Sequence, residues 1–264
     1  MDFLHSALAV MSGCLVGFTL GLIGGGGSIL ATPLLLYVVG LGPHEAIGTG
    51  ALAVSVNAFA NFGGHARAGN VRWGSAVLFA LVGVFGAAVG STLGKSFDGQ
   101  RLLFLFAILM VVVGVLMLRR GRRSAVRAGI DTAEAPRLGV ARIVVAALAV
   151  GLLSGFFGIG GGFLIVPGLL FATGMPIIMA IGSSLLSVGG FGLTTAINYA
   201  RSGLVNWPVA GEYIAGGLAG GMLGMMLANR LALRSAALNT VFAAVVFVVA
   251  AYMLYRNAGS IGLG

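Results

Sequence analysis

Apolar segments about as long as a membrane-spanning helix follow one another along most of the chain. They cover residues 3–23, 47–62, 73–93, 102–118, 140–157, 177–199, 207–227 and 236–255. An α-helix needs about 20 apolar residues to cross a bilayer. The pattern therefore predicts an all-α polytopic membrane protein.

Two further apolar runs, residues 28–39 and 163–173, are shorter, and each follows a cluster of glycines. A dozen residues of α-helix rise about 18 Å, whereas the hydrocarbon core of a bilayer is about 30 Å thick. This length favours a half helix or a re-entrant segment beside about four spanning helices in each half of the chain. If each short segment crosses the membrane instead, each half has five crossings.

The chain repeats itself at an offset of 134 residues without a gap. The aligned pairs include Gly24 with Gly158, Pro33 with Pro167, Arg67 with Arg201 and Trp73 with Trp207. Shared apolarity alone would not bring such different residue types into register. We therefore predict two tandem repeats, residues 1–118 and 139–264, joined by a linker at residues 119–138. Four crossings per copy make the repeats parallel, and five make them inverted.

Composition and charge place the chain in a lipid bilayer. Only 8% of the 264 residues are charged, and 46 are Gly, which lets membrane helices pack closely. Arginines are concentrated at one place, at Arg119, Arg120, Arg122, Arg123, Arg127 and Arg137. A basic stretch between apolar runs is typical of a cytoplasmic loop. It predicts a multi-pass protein of the cell (inner) membrane with a cytoplasmic linker, and argues against a nucleic-acid surface.

Two glycine clusters occupy equivalent positions in the two repeats. The first comprises Gly24, Gly25, Gly26 and Gly27, followed by Ser28, and the second comprises Gly158, Gly160, Gly161 and Gly162. Consecutive glycines stop a helix, and the first N–H groups of the next helix have no intrahelical partner and lie at its positive end. The clusters therefore predict a binding site for a small anion. The alternative is close helix packing, which we favour for other repeated glycines such as Gly17 and Gly83.

Several polar residues near these clusters are candidate ligands of the anion. Thr49 and its counterparts Ser183 and Ser184 begin long apolar runs. Their hydroxyls can donate to an anion or bond to the neighbouring helix turn, and both interpretations stay open. Asn57 shares a helix face with Asn61, so it either lines a cavity or binds two helices together.

Charged residues supply candidates for gating and for proton coupling. Arg67 and Arg201 each begin the pattern Arg-x-Gly-x-Val-x-Trp. They either anchor the membrane edge or attract an anion to a vestibule or gate. Glu212 lies inside an apolar run, where a carboxylate is costly, which makes it a candidate coupling group. We expect His65 to lie at the interface in contact with water.

Enzyme signatures are absent from the sequence. It has neither an HExxH nor a CxxC motif, and its three histidines have no regular metal-ligand spacing. We therefore predict a protein that is not an enzyme and needs neither a metal nor a cofactor.

The paired glycine clusters with Pro33 and Pro167, the Ile-Gly-Thr/Ser segments and the duplication resemble the TauE/SafE family of sulfite exporters. The resemblance covers about residues 8–255. It implies transport of sulfite, a sulfonate or a related sulfur-containing anion, in either direction. We expect this transport to be secondary. Two other functions stay open, namely a passive anion channel and a membrane scaffold subunit that docks a partner through the linker.

Overall fold

The computed structural model describes residues 3–127, 140–158, 162–231 and 247–255. Every regular element in these residues is helical, which confirms the all-α class. In chain order they are α1 (Phe3–Ile23), a 3₁₀ segment (Gly24–Leu30), α2 (Ala31–Tyr37), α3 (Pro43–Arg67), α4 (Trp73–Ser96), α5 (Gly99–Arg127), α6 (Val140–Phe157), α7 (Gly162–Thr173), α8 (Ile177–Ala200) and α9 (Trp207–Leu231). Residues 247–255 are also helical.

Five of the described helices are long and apolar enough to cross a membrane. They are Leu4–Ile23, Pro43–Arg67, Trp73–Ser96, Val140–Phe157 and Ile177–Ala200. The helix α5 continues as far as Arg127, into the segment predicted as linker. The rest of that segment, residues 128–139, lies outside the described residues.

Helix α3 illustrates how local sequence sets the boundaries. It starts four residues before its apolar run, because Pro43 occupies the first turn after an extended Gly42. The carboxylate of Glu45 in that first turn also complements the helix dipole. The helix ends at Arg67, two residues before Gly69, whose φ of 73° reverses the chain.

The described parts of the two halves have turns and helix starts at equivalent positions. Glycines with positive φ recur as three pairs at the same offset of 134 residues, Gly24 with Gly158, Gly40 with Gly174 and Gly69 with Gly203. Helices α3 and α8 begin at the same offset, as do α4 and α9. At these described positions the sequence repeat is therefore matched by a repeat of backbone conformation.

Helices pack mainly against helices of the other half. Helix α1 lies along α9, and α4 lies along α6. A Cβ at Gly17 would overlap the carbonyl oxygen of Gly217, and one at Gly151 would overlap that of Gly83. Glycine therefore allows the backbones of these helix pairs to touch, as we expected for this class of glycine.

The outer faces of the helices are apolar, as a lipid environment requires. On α4, the buried face carries Gly83 and Gly90, whereas Leu81, Phe85 and Val89 are 63%, 72% and 56% exposed. These three exposed residues are spaced four apart and form one stripe along the helix. Large apolar side chains outside and glycine inside are typical of a membrane helix.

Helices α3 and α8 contact each other near their midpoints and run in opposite directions. The hydroxyl of Ser55 donates to the carbonyl of its own counterpart, Gly189, at 2.7 Å. A Cβ at Gly48 would lie 2.9 Å from the Cβ of Tyr199, so the start of α3 meets the end of α8. The start of α8 meets the end of α3 in the same way, because a Cβ at Gly182 would overlap the backbone of Asn70.

Candidate functional site

The first glycine cluster breaks a helix. Helix α1 stops at Ile23, and Gly24 has a φ of 67°, a conformation that other residues rarely adopt. A Cβ at Gly24 would also lie 2.8 Å from the carbonyl oxygen of Ile181. Gly25, Gly26 and Gly27 continue in the 3₁₀ segment that leads to α2. We call this segment, Gly24–Gly27, the first break.

The second cluster breaks α6 in the same way. Gly158 has a φ of 65°, and the side chain of Ile47 packs against it, just as Ile181 packs against Gly24. Helix α7 then begins at Gly162. Gly160 and Gly161, both predicted site residues, lie outside the described residues. We call Gly158–Gly162 the second break.

The two breaks meet. Gly25 and Gly162 touch backbone to backbone, since a Cβ on either one would overlap the carbonyl oxygen of the other. The amide of Gly25 donates to the hydroxyl of Ser184 at 3.2 Å, and that hydroxyl donates to the carbonyl of Ile181 at 2.7 Å. The hydroxyl of Ser28 donates to the carbonyl of Gly25 at 2.9 Å. In this conformation Ser28 and Ser184 therefore bond to the first break.

Thr49 and Ser183 form a matched pair of contacts between the halves. The Thr49 hydroxyl accepts the amide N–H of Asn206 at 2.9 Å. The Ser183 hydroxyl accepts the amide N–H of Arg72, also at 2.9 Å. Asn206 and Arg72 are themselves equivalent positions that precede α9 and α4. Both hydroxyls thus bond to the backbone of the opposite half.

Asn57 lies in the interior with an unusual environment. It is fully buried, and neither the oxygen nor the nitrogen of its side-chain amide has a hydrogen-bond partner. The amide lies against Gly217 of α9, and Asn61 donates to the backbone carbonyl of Asn57 at 2.8 Å. Because an unpaired buried polar group is costly, Asn57 is a strong candidate for binding a ligand or water.

Other buried hydroxyls share this property, and none of them was predicted from the sequence as a site residue. Buried side-chain oxygens without a partner occur on Thr32, Ser154, Ser187, Thr195 and Tyr199. Ser187 lies about one helical turn after Ser184, on the same helix face. This spacing of three could have identified Ser187 as a candidate from the sequence. Polar residues dispersed among apolar ones are otherwise hard to single out.

The charged candidates lie away from this interior. Arg67 and Arg201 are exposed, at the ends of α3 and α8, and Glu212 is half-buried on α9. The expectation for His65 was wrong. Its ring is fully buried, with Nε2 3.2 Å from the carbonyl oxygen of Gly21, because α1 packs over this end of α3.

Two broken helices that meet between paired halves define a class of protein, the polytopic membrane transporters. The chain belongs to the family described as Sulfite exporter TauE/SafE, which it matches over residues 9–253. This match confirms the family that the glycine clusters suggested.

Curated relatives agree with this class. The chain is 58% identical to a "Probable membrane transporter protein" of Xylella fastidiosa, an alignment that covers 96% of this chain and 97% of the relative. It is 26% identical to the "Probable membrane transporter protein YunE" of Bacillus subtilis, which covers 79% of this chain and 83% of the relative. No solved structure matches the chain at a significant level.

Proposed function

We propose that this protein is a secondary transporter of small sulfur-containing anions such as sulfite or a sulfonate, which it binds where the two breaks meet. Membership of the sulfite exporter family supports the substrate class. The observation that carries the proposal is the backbone contact between Gly25 and Gly162 at the junction of two interrupted helices. The first amides of α7 lie at this junction, at the positive end of that helix.

We further infer that the two halves are inverted, with five crossings each. The antiparallel course of α3 and α8 supports this arrangement, because these helices are equivalent positions of the two copies. In the first half, the short segment is also longer than its residue count suggests, because Gly24–Leu30 is a 3₁₀ helix, which rises about 2.0 Å per residue against 1.5 Å for an α-helix. The length of the short segments favoured four crossings in each copy. We therefore propose the alternative, in which each copy crosses five times and the copies are inverted.

Inversion gives each face of the membrane one arginine of the repeated Arg-x-Gly-x-Val-x-Trp pattern. The basic linker follows α5, and the excess of arginine favours the cytoplasmic side of an inner membrane. Counting back through α5 and α4 puts Arg67 on that same side, and the antiparallel α8 puts Arg201 on the opposite side. Each arginine then attracts anions to one vestibule. Glu212, half-buried on α9, keeps its proposed coupling role.

Transport into proteoliposomes tests this function. Purified protein should take up labelled methanesulfonate or sulfite with saturation, and unlabelled anion inside should accelerate uptake by exchange. A linear, unsaturable flux would indicate a channel, and uptake no greater than in empty liposomes would contradict the proposal.

Two glycine variants connect transport with the site. Gly162→Leu should abolish uptake, because its side chain would force the two breaks apart. Gly211→Leu on α9 is the matched control, since a Cβ there meets nothing within 4 Å. Equal uptake by the two variants would show that the junction of the breaks is not part of the transport site.

A further inference from the structure

The buried polar groups without partners share one chemical property, which is that they are neutral. Ser187 and Asn57 are 0% exposed and Thr32 is 1% exposed, and each has unpaired side-chain atoms. A hydroxyl can donate and accept a hydrogen bond, and an amide side chain has one group of each kind. Together they suit a ligand with several oxygens that accept hydrogen bonds.

The register of α3 and α8 relates two of these groups. Ser55 bonds to Gly189 where the helices cross. Asn57 follows Ser55 by two residues, and Ser187 precedes Gly189 by two residues. Because the helices are antiparallel, both are displaced from this contact in the same direction along the helix axes. Val188, the neighbour of Ser187, packs within 2.7 Å of a Cβ built on Gly25. Asn57 and Ser187 thus lie at a similar depth along this helix pair, and Ser187 is adjacent in sequence to the residue that packs against the first break.

Full positive charges lie elsewhere in the described part of the chain. Every Lys and Arg whose side chain is described is exposed, apart from the half-exposed Lys95. An anion in the interior described here would be balanced by dipoles, namely the hydroxyls, the Asn57 amide and the start of α7.

Neutral groups discriminate strongly between one and two negative charges. The free energy lost when an ion leaves water rises with the square of its charge, so a dianion loses about four times as much as a monoanion of the same size. The gain from fixed dipoles rises only in proportion to charge. We propose that the site selects singly charged sulfur oxyanions, a sulfonate or bisulfite, over the dianions sulfite and sulfate. This inference rests on the proposed function.

Competition in proteoliposomes tests the selectivity directly. Uptake of labelled methanesulfonate should fall at least tenfold with a hundredfold excess of unlabelled methanesulfonate, and by less than twofold with the same excess of sulfate. Equal inhibition by the two anions would overturn the inference while leaving anion transport intact. Failure to transport methanesulfonate, bisulfite or sulfate at any pH would instead overturn the proposed function.

The acidity of sulfite supplies a second test, since sulfite takes up a proton near neutral pH whereas methanesulfonate stays a monoanion. Total sulfite should inhibit methanesulfonate uptake at least fivefold more strongly at pH 6 than at pH 8.5. Methanesulfonate uptake without sulfite, measured at each pH, is the reference. Dividing by this rate corrects for the effect of pH on the protein itself, including any effect through His65. Inhibition that is unchanged, or stronger at pH 8.5, would overturn the inference.

A variant series tests the part played by Ser187. Ser187→Ala should raise the KM for methanesulfonate at least tenfold, and Ser187→Thr, which keeps the hydroxyl, should restore it. Thr194→Ala on the same helix is the control, because its hydroxyl bonds to the carbonyl of Gly190 at 2.8 Å. A KM unchanged in Ser187→Ala, in protein with unchanged thermal unfolding, would remove Ser187 from the site.

Discussion

Single glycines decide where the helices of this protein break. Gly24 and Gly158 have positive φ, and the side chains of Ile181 and Ile47 pack against them. A larger residue at either position meets both a strained backbone and an occupied space. Gly40 separates the effect of the backbone conformation from the effect of the occupied space, because it has a φ of 83° but nothing within 4 Å of a Cβ built on it.

Three alanine substitutions therefore should differ in a definite order. Gly40→Ala should lower the free energy of unfolding by about 1–2 kcal/mol, the cost of the left-handed conformation alone. Gly24→Ala should cost more, because its Cβ also meets Ile181. Gly63→Ala, inside α3 with open space around it, should be neutral or stabilising by up to about 1 kcal/mol. Unfolding in detergent measures all three, and equal effects at Gly24 and Gly63 would contradict the proposed break.

The residue scale also shows how far sequence reasoning reaches. Glycine clusters could be recognised because consecutive glycines are costly in an ordinary helix. The bonding of Thr49 and Ser183 could not, because their partners are backbone amides more than a hundred residues away. Asn57 was recognised from its position, whereas the unpaired state of Ser187 emerges only from packing.

At the scale of elements, matched contacts join the loops of one half to the helices of the other. Thr49 and Ser183 accept the amides that precede α9 and α4. A hydrogen bond of this kind contributes about 0.5–1.5 kcal/mol.

Thr49→Val and Ser183→Ala should therefore destabilise the protein by similar amounts, about 1 kcal/mol each, and leave the KM for methanesulfonate within twofold of the wild type. Thermal unfolding and uptake measure the two effects. A large rise in KM with unchanged stability would mean instead that these hydroxyls bind the anion.

A polar network joins α4 to the end of α8. The ammonium of Lys95 donates to Oδ1 of Asn198 at 2.7 Å and to the hydroxyl of Ser202 at 2.9 Å. Nδ2 of Asn198 donates to Ser91 at 2.8 Å. The equivalents of Ser91 and Asn198 in the other half are Met225 and Gly64, which bring a thioether against a glycine. The two ends of the molecule are thus held by different chemistry.

Lys95→Met should weaken this end. We expect a loss of about 1 kcal/mol in stability, because the ammonium also bonds to the carbonyl of Asn198 in the last turn of α8. Gln100→Met, at an exposed position on α5, is a control for added apolar surface. Thermal unfolding that is identical in the two variants would show that the network contributes little.

At the scale of the whole molecule, the order of helices was largely predictable and their arrangement was not. Apolar length and the offset of 134 residues identify the segments and their pairing. The direction of each segment depends on whether the short helices cross. Only the contacts between α3 and α8, such as Ser55 with Gly189, supply the antiparallel register.

The inverted arrangement predicts that Arg67 and Arg201 lie on opposite faces of the membrane. Single cysteines at these positions, in a Cys14→Ala background, should react with an impermeant thiol reagent from opposite sides of oriented vesicles. A cysteine at Lys95, which bonds to Ser202, should react from the same side as Arg201→Cys. Reaction of both arginine positions from one side would indicate parallel repeats.

Locating the bound anion tests most directly whether the two breaks form the binding site. Crystals of the protein soaked in selenite, a selenium analogue of sulfite, would reveal the ion by its anomalous scattering. We predict a peak within about 3–4 Å of hydrogen-bond donors at the junction of the breaks, close to Gly162 and Ser187. A bound ion found only elsewhere, with this junction empty, would contradict it.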